Sequence, residues 1–424
     1  MKVNLKNLPP KIQDLIHLAS DIAYKNNTPA YLVGGFVRDL LLGVKNLDLD
    51  IVVEAEGIGF AEELQRILKT KLICHKRFGT ATIILKDNSK IDIATTRKEI
   101  YPQPGSLPIV TQGDLRDDLA RRDFTINAMA ISINQKDYGR LIDFFGGISD
   151  LKEKRIRILH DLSFIDDPTR ILRAIRFEKR YEFQIEAQTL SLLKEAVRLN
   201  SLKNVHPHRL RDELILILKE DEPLKPIKRI QRLVGFRFVH PDLCSLKLKE
   251  RLLYSIQKEI SWFNQNYPRR RPLDNWLIYL MGLCEPLGVG AVREFIKDFA
   301  LRAGEAKRIL DSKLIKPKFI LRLKQKKLKA EEIFRLLEPL SYEVIIFISA
   351  KYKNRNLKEH IKDFFDIYNG MRILISGDDL KRLGILPGPF YQKIFTEVLN
   401  AKLKGEVKTK EEELFLIKEL IKKR

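Results

Sequence analysis

The sequence predicts an α+β protein, with a small head built on a mixed β-sheet and a long all-helical remainder. Two observations support this prediction. Within the first 150 of the 424 residues, short runs rich in β-branched residues surround a clear helical segment. After about residue 151 the strand signals fade, and apolar residues recur at three- and four-residue spacing.

The predicted elements follow in chain order. The strand segments of the head are AYLVGGF, LDLDIVVEA, ATIILKD, SKIDIATT and TINAMAISI, and FAEELQRILKT is predicted as a helix between the second and third strands. Six later segments carry the helical period: DPTRILRAIRFEKRY, AQTLSLLKEAVRL, HRLRDELILILK, RLLYSIQKEISWF, AVREFIKDFALRAGEAKRIL and EEIFRLLEPL.

The charge of the chain is unevenly distributed. Residues 1–150 hold 20 Lys and Arg against 19 Asp and Glu, whereas residues 151–424 hold 58 against 37. A neutral head and a strongly basic remainder favour a polyanionic partner, such as a nucleic acid, that binds mainly to the second part. The alternative is a solvated, lysine-rich surface.

Cysteine usage and hydropathy predict a cytoplasmic protein that does not enter a membrane. The three cysteines, Cys74, Cys244 and Cys284, lie far apart and form no C-x-x-C pair. This spacing indicates a reducing compartment and no cysteine zinc site. No apolar run reaches about 18 residues, and the first residues lack the apolar core of a signal peptide.

Two carboxylates on one predicted strand suggest a metal site. Residues i and i+2 of a strand point to the same side, so Asp48 and Asp50 project together, away from Leu49 and Ile51. Carboxylates held this close repel each other unless a cation lies between them. Mg²⁺ is the expected cation, because it prefers one or two carboxylates combined with substrate phosphates.

Residues upstream and downstream of this strand complete a predicted phosphate site. The adjacent glycines Gly34 and Gly35 let backbone N–H groups approach a triphosphate, and Arg38 is placed to neutralise phosphate charge. Asp92, in the segment IDIATTR, is the expected third acid. With Asp92 on a neighbouring strand, two-metal nucleotidyl transfer becomes possible, and Asp92 acts as a ligand, as the general base or as both. The alternative for Asp92 is a surface strand residue.

Four ordered motifs resemble the class II tRNA nucleotidyltransferases, the bacterial family of CCA-adding enzymes and related poly(A) polymerases. They are LVGGFVRDLLLG…DLDIVV, DLARRDFTINAMA, DFFGGISDLKEKRIR and DDPTRILRAIRFEKRYEF. The likeness is dense over residues 30–215, and ISGDDLKRLGILPGPFYQKIF extends it towards the end of the chain. This sequence has Asp166 where the family usually has Glu.

The resemblance implies a domain order and a set of site residues. The implied domains are a catalytic nucleotidyltransferase head over 1–145, a helical neck for base recognition over 146–222, and a tRNA-binding body and tail over 223–340 and 341–424. Two Mg²⁺ ions are implied at Asp48 and Asp50. The implied nucleotide-binding residues are Gly34, Gly35, Arg38, Arg121, Arg122, Asp123, Asp167, Arg170, Arg173 and Arg176.

The fourth motif predicts how a base is chosen without a nucleic-acid template. If Asp167 and Arg170 lie i, i+3 on one helix face, the carboxylate accepts from the amino group of cytosine or adenine. The guanidinium then donates to the adjacent ring nitrogen. Uracil and guanine present a carbonyl acceptor beside an N–H donor, the reverse order, and leave both side chains unpaired. CTP and ATP are therefore preferred over UTP and GTP. Arg173 and Arg176 either support this pair, reach phosphates or face solvent.

The RNA-binding residues are expected in the basic remainder. Residues 301–330 carry eleven Lys and Arg against two acids, and YPRRRP adds three arginines. These side chains either follow the backbone of the acceptor–TΨC arm of tRNA or cover a solvated surface. The candidates are Arg269, Arg270, Arg271, Lys324, Lys326 and Lys327.

Three functional hypotheses stay open on these residues. The first is an enzyme that adds the terminal A of CCA from ATP, and the preceding CC from CTP unless a separate CC-adding enzyme supplies it. The loop TTRKEIYPQPGSLPIV, with Arg97, Glu99, Tyr101 and Pro108, resembles the flexible loop that the CC-only type lacks. The second is a poly(A) polymerase on general RNA 3′ ends. The third is a non-catalytic tRNA-binding protein.

Overall fold

A computed structural model describes residues 1–44, 48–244 and 249–422. The chain divides into two compact units, residues 1–239 and 240–424. The first unit combines a β-sheet with helices and the second is helical throughout its described residues, so the predicted α+β class is confirmed. No described helix has both the length and the apolar character that a membrane crossing requires.

The strands all belong to the first unit, within the described residues. They are β1 Ala30–Val33, β2 Leu49–Val53, β3 Lys71–His75, β4 Thr80–Ile84, β5 Lys90–Thr95, β6 Arg97–Ile100, β7 Ile109–Gln112, β8 Met129–Ser132, β9 Leu141–Asp143, β10 Arg155–Ile156 and β11 Gln184–Ile185. The helices of this unit are α1 Pro10–Lys25, α2 Gly34–Leu41, α3 Gly57–Leu68, α4 Leu115–Ala120, α5 Gly147–Lys152, α6 Ser163–Asp166, α7 Thr169–Arg180, α8 Ala187–Arg198, α9 Pro207–Leu218 and α10 Leu224–Leu233.

The main sheet runs in the order β3-β4-β5-β2-β1-β8-β9 over the described residues. β2 and β5 pair in parallel, and the other neighbours pair antiparallel. β2 lies inside the sheet, and its residues Leu49, Ile51, Val52 and Val53 are all buried. Isoleucine and valine are β-branched, and such residues pack well inside a sheet. α3 packs on β4 and β5, whereas α2 packs on β8.

The predicted strand segments are only partly correct. In AYLVGGF only the first four residues are a strand, because the chain turns at Gly34 into α2. In TINAMAISI the strand is confined to Met129–Ser132. The short strands β3, β6, β7 and β9 were not predicted. β3, β6 and β7 are largely exposed, so they carry little of the apolar alternation that marks a half-buried strand.

The second unit is a helical stack with a small separate core near its end. Its helices are α11 Glu250–Asn266, α12 Asn275–Leu283, α13 Val289–Asp298, α14 Ala303–Leu314, α15 Pro317–Leu323, α16 Ala330–Leu337, α17 Tyr342–Lys351, α18 Arg355–Asp363, α19 Gly377–Arg382, α20 Pro389–Leu403 and α21 Lys410–Lys422. α17 is buried along its length and packs against α11, α12 and α14. A cluster of Ile375, Leu380, Ile394, Val398 and Ile417 joins the last three helices.

All six predicted helical segments contain helices. The long segment AVREFIKDFALRAGEAKRIL holds parts of two helices, because the chain leaves α13 at Ala300, which has a φ of +43°.

Candidate active site

Two carboxylates lie side by side on the central strands of the sheet, and a third comes just before one of these strands. In the parallel register of β2 and β5, Asp50 lies directly beside Asp92, and Asp48 immediately precedes β2. The Thr82 hydroxyl donates to Asp92 Oδ1 at 2.5 Å and orients that carboxylate. The expectation that the third acid comes from a neighbouring strand is therefore met in the geometry of the sheet.

The Asp50 carboxylate lies in an environment that disfavours its negative charge, which a bound cation would offset. The pKa of Asp50 is raised to about 6, chiefly by burial and also by the carboxylates of Asp92 and Asp48, against the opposing effect of Arg122 and Arg38. Within the described residues, no group of three or more acidic, His or Cys side chains is placed to enclose a metal ion. The carboxylates fit Mg²⁺ held in the usual way, with water and substrate phosphates as the remaining ligands.

The adjacent glycines are explained by a left-handed turn and a close approach. Gly34 has a φ of +68°, and a Cβ there would lie 2.7 Å from Arg122 Nη1 and 3.5 Å from Asp50 Oδ2. A Cβ on Gly35 would meet Arg38 Nη2 at 3.5 Å. The glycine backbone therefore faces the carboxylates, with no side chain in the space between them and Arg122.

Arg38, which was predicted to neutralise phosphate charge, is buried in a network of protein contacts. Its Nε and Nη2 donate to the Asp39 carboxylate at 2.9 and 3.0 Å, and its Nη1 donates to Asn127. The guanidinium lies 5.3 Å from the ring centre of Phe177 and 4.7 Å from that of Tyr181. These rings belong to α7 and its end, so Arg38 joins the head to the neck, and its contact with phosphate stays a prediction.

The two arginines of the RRD motif have different surroundings. Arg121 donates to Asp118 and Glu99. Arg122 donates through Nη2 to Asp118 at 2.8 Å, but its buried Nε has no hydrogen-bond partner among the described residues. Of the two, Arg122 is the one that lies over Gly34 beside Asp50. An orphaned donor at this position fits a phosphate oxygen.

Asp123, the third residue of the motif, lies behind these groups. Its Oδ2 accepts from Arg173 Nε and Nη2 at 2.9 and 2.7 Å, and its Oδ1 accepts from Asn127 Nδ2. Burial alone would raise the pKa of Asp123, but the Arg173 guanidinium and the Asn127 amide lower it to about 2. Arg173 also donates to Glu213 at 2.9 Å, and Arg176 pairs with Glu213 and Glu220.

The prediction that Asp167 and Arg170 share a helix face is wrong for Asp167. The backbone of Asp167 has φ −132° and ψ 89°, and α7 begins only at Thr169. The reason is Pro168, because a residue before proline is pushed out of the helical region. Asp167 instead caps the helix, accepting from the backbone N and hydroxyl of Thr169 at 3.1 and 2.6 Å.

Asp167 and Arg170 nevertheless lie next to each other. The Arg170 backbone N donates to the Asp167 carbonyl at 3.0 Å. The Arg170 guanidinium is buried and donates to Ser163 Oγ at 2.6 Å and to the Arg121 carbonyl at 2.7 Å. The second oxygen of Asp167 accepts from Arg209 Nη2 at 2.8 Å.

The loop that follows the third-acid strand is present and lies against the neck. β6 and β7 form a two-stranded ribbon, and the loop between them includes Gly105, whose N donates to the Asp166 carbonyl at 3.1 Å. At its base, Glu99 accepts from Arg97, Arg121 and Tyr101.

The predicted RNA-binding cations of the second unit fall into two groups. Arg270 donates to Asn369 and to the Phe365 carbonyl, and Arg271 makes a paired contact with the buried carboxylate of Glu343. Both arginines therefore already donate hydrogen bonds to acceptors within the protein. Arg269, Lys326 and Lys327 are exposed, and Lys324 lies 5.4 Å from the centre of the Tyr352 ring.

The sequence reasoning missed the partners that hold the predicted residues. Asp118 accepts hydrogen bonds from both arginines of the motif, although it is the first residue of that same motif, DLARRDFTINAMA. Glu213 and Arg209 come from HRLRDEL, about 40 residues beyond the motif they support. The alternating charges of this helical segment indicate that it forms ion pairs, but they do not show which residues of the motif it contacts.

Comparison with known proteins shows which families and relatives this chain resembles. Two family descriptions match, "Poly A polymerase head domain" over residues 30–157 and "Probable RNA and SrmB- binding site of polymerase A" over residues 182–246. An A-adding tRNA nucleotidyltransferase of Geobacter sulfurreducens is 37% identical over 96% of this chain and 49% of its own length. Another from Halalkalibacterium halodurans is 31% identical over 96% of this chain and 92% of its own.

Solved structures agree with these relatives. The Thermotoga maritima CCA-adding enzyme complexed with tRNA matches with a TM-score of 0.72 and 37% identity, over 98% of this chain and 97% of its own. The chain spans about half the length of the Geobacter relative, but nearly all of the Halalkalibacterium and Thermotoga proteins. The chain therefore belongs to the tRNA nucleotidyltransferase family that carries the poly A polymerase head domain.

Proposed function

We propose that this protein is a tRNA 3′-end nucleotidyltransferase that adds the terminal A of CCA from ATP without a nucleic-acid template. The observation that carries the proposal is the register of β2 and β5, which sets Asp50 beside Asp92 under the Gly34 turn and Arg122. The proposal also draws on the relatives that are named A-adding and on the solved complex of a relative with tRNA.

Metal binding in the proposal rests on the acidic group. Nucleotidyltransferases of this family generally use divalent metal ions. Asp48 and Asp50 would hold two Mg²⁺ ions, which supply Lewis-acid activation of the 3′-hydroxyl and neutralise the charge of the leaving pyrophosphate. The raised pKa of Asp50 is consistent with a carboxylate whose ionised form needs added positive charge.

The remaining residues of the head bind and orient the reactants. The positively charged guanidinium of Arg122, whose Nε has no hydrogen-bond partner among the described residues, binds the triphosphate, and Gly34 leaves room for the phosphates. Asp92, oriented by Thr82, accepts the proton of the tRNA 3′-hydroxyl. The 3′-oxygen then bonds to the α-phosphorus of ATP, the bond from that phosphorus to the bridging oxygen breaks, and pyrophosphate leaves.

The neck chooses the base in this proposal. Asp167 accepts from the N6 amino group of adenine, and Arg170 donates to N1. Arg209 and Thr169 hold the carboxylate, and Ser163 and the Arg121 carbonyl hold the guanidinium. Because other groups hold both side chains, neither can rotate to form hydrogen bonds with a base whose donor and acceptor are in the reverse order. CTP satisfies the same pair, so CC addition by this chain is a separate question that the assay answers.

The test is single-nucleotide extension of three tRNA transcripts that end before CCA, after one C and after CC, with Mg²⁺ present. Addition of one A to the CC-ended transcript supports the proposal. Extension of all three to CCA widens it to a complete CCA-adding enzyme that needs no CC-adding partner. A long A tail, with little dependence on tRNA shape, would replace it with a poly(A) polymerase. Binding without any addition would leave only a tRNA-binding protein.

A further inference from the structure

The second unit contains a basic cavity that none of the predicted RNA-binding residues forms. It measures about 530 Å³ and lies where α11 packs against the ends of α17 and α18. Five cationic side chains line it, together with a single carboxylate, Glu259. The cations are Arg251, Lys258, Lys353, Arg355 and Lys358.

The carboxylate in this cavity is already neutralised. Glu259 is buried, one of its oxygens accepts from Ser349 Oγ at 2.7 Å, and the other binds the ammonium of Lys358. Arg355 pairs with Glu359 at the outer edge. Arg251, Lys258 and Lys353 are exposed, so they contribute positive charge that is directed to solvent. Positive charge concentrated in a concave surface attracts a polyanion.

Two of the five cationic side chains lie along one side of α11. Arg251 and Lys258 lie seven residues apart, two helical turns, with Tyr254 between them on the same side. The side chain of Tyr254 is 44% exposed. An aromatic ring between cations is the surface on which RNA is commonly bound, because phosphates contact the cations and a base or ribose contacts the ring.

The lysine loop that the sequence singled out is bound to α18, the same helix that contributes Arg355 and Lys358 to the cavity. Asn356 Nδ2 donates to the Lys324 carbonyl at 2.9 Å, and His360 bonds to the Gln325 carbonyl at 2.9 Å. The residues 324–327 are thereby fixed beside the first turn of α18, which also carries Arg355 and Lys358. Lys326 and Lys327 are exposed next to this contact. Asn356 and His360 share one side of α18, and Arg355 and Lys358 share another, so the lysine loop is a neighbouring basic segment and not part of the cavity.

We infer that this cavity binds the phosphodiester backbone of the tRNA substrate, outside the catalytic head. The inference rests on the proposed function for the identity of the RNA. It assigns the phosphate contacts to Arg251, Lys258 and Lys353 and makes Arg270 and Arg271 structural. Phosphate contacts of this kind add affinity without reading sequence, and each one steepens the dependence of binding on salt.

The experiment compares two double variants of the full chain. R251A/K258A removes an exposed Arg and Lys from the cavity, and R293A/K297A removes an exposed Arg and Lys from α13, on the same unit. Binding of a CC-ended tRNA is measured between about 50 and 300 mM salt, with thermal melting to show that both variants are folded. The rate of A addition at saturating tRNA is measured beside it.

The cavity variant is expected to bind tRNA roughly tenfold more weakly at intermediate salt. The slope of the logarithm of the binding constant against the logarithm of the salt concentration should also be smaller in magnitude by about two. The α13 variant should keep the wild-type slope, and both variants should keep the wild-type rate at saturating tRNA. An unchanged slope in R251A/K258A, or an equal loss in R293A/K297A, overturns the inference. If wild-type protein binds tRNA through the cavity but adds no nucleotide, the inference stands and the proposed function fails.

Discussion

Gly34 provides the sharpest test of how the head is built. Replacing it with alanine has two separable effects. The left-handed φ of +68° makes any Cβ costly by roughly 1–2 kcal/mol. The new Cβ also lies 2.7 Å from Arg122 Nη1, so the guanidinium must move away from the space beside Asp50.

The expected effects of Gly34→Ala on stability and on activity differ in size. For a unit of this size, about 1 kcal/mol lowers the melting temperature by roughly 2–4 °C. A lost hydrogen bond to a charged group is worth about 1.5–3 kcal/mol. At about 1.4 kcal/mol per factor of ten, that loss lowers kcat/KM for A addition by roughly 10- to 150-fold.

Gly146 is the matched control, because its φ of +78° carries the same strain and nothing lies within 4 Å of an added Cβ. G34A and G146A should therefore melt at similarly lowered temperatures in thermal denaturation. Only G34A should lose kcat/KM for ATP in steady-state assays on CC-ended tRNA. Equal activity in the two variants would refute the idea that the glycine pair keeps Arg122 in place.

Three further predictions follow from the contacts of other residues. Asp48→Ala should abolish nucleotide transfer while tRNA binding in a filter assay stays at the wild-type level, and full residual activity would remove Asp48 from the metal site. Arg170→Ala should narrow the preference for ATP over GTP, measured as a ratio of kcat/KM values, whereas an unchanged ratio would contradict base selection by this residue. Glu343→Gln should lower stability at pH 7 by about 1–3 kcal/mol, since Arg271 and Arg308 then lose their buried partner. Burial alone would raise the pKa of Glu343, but the hydrogen bond from Arg271 lowers it to about 2, so the stabilisation is present above the usual value of 4.5 and is lost as the pH falls towards 2. The difference between wild type and E343Q in chemical denaturation should shrink over that range, and a constant difference would contradict the ionised pair.

The sequence was most informative where the repeat of apolar residues along a strand or a helix determines which side chains are buried. The two-residue repeat of a strand placed Asp50 apart from the buried Leu49 and Ile51, and the structure gives Asp50 the partly exposed position. The helical period located six segments of the α-helical remainder, but it missed others, among them α12 and α17, which are buried on nearly every side and so lack a polar face. It failed at Asp167, because Pro168, the residue immediately before the helix, changes the backbone of Asp167 and makes this predicted helix residue a cap.

Long-range partners were not predictable in the same way. The sequence does not indicate that Arg38 is held by Asn127, 89 residues away, or that Arg271 is held by Glu343, 72 residues away. Arginines in a basic stretch look alike in sequence, and only the fold decides which of them face a buried carboxylate. The same limit hid the cavity of the second unit, since its cations come from two segments about 100 residues apart.

The partners of the arginines suggest how the head and the neck act together. Arg173 of the neck is bound at once to Asp123 of the head and to Glu213 of α9, and Arg38 of the head lies against two aromatic rings of the neck. Arg170 donates to the carbonyl of Arg121, whose neighbour Arg122 lies beside Asp50. The proposed base-selecting pair and the proposed phosphate site are therefore connected by a direct hydrogen bond as well as by the chain. Because the α-phosphate and the base of one nucleotide must fit both sites at the same time, a base that displaces Arg170 would also disturb the backbone that carries Arg122. Discrimination against GTP and UTP should accordingly appear in kcat as well as in KM.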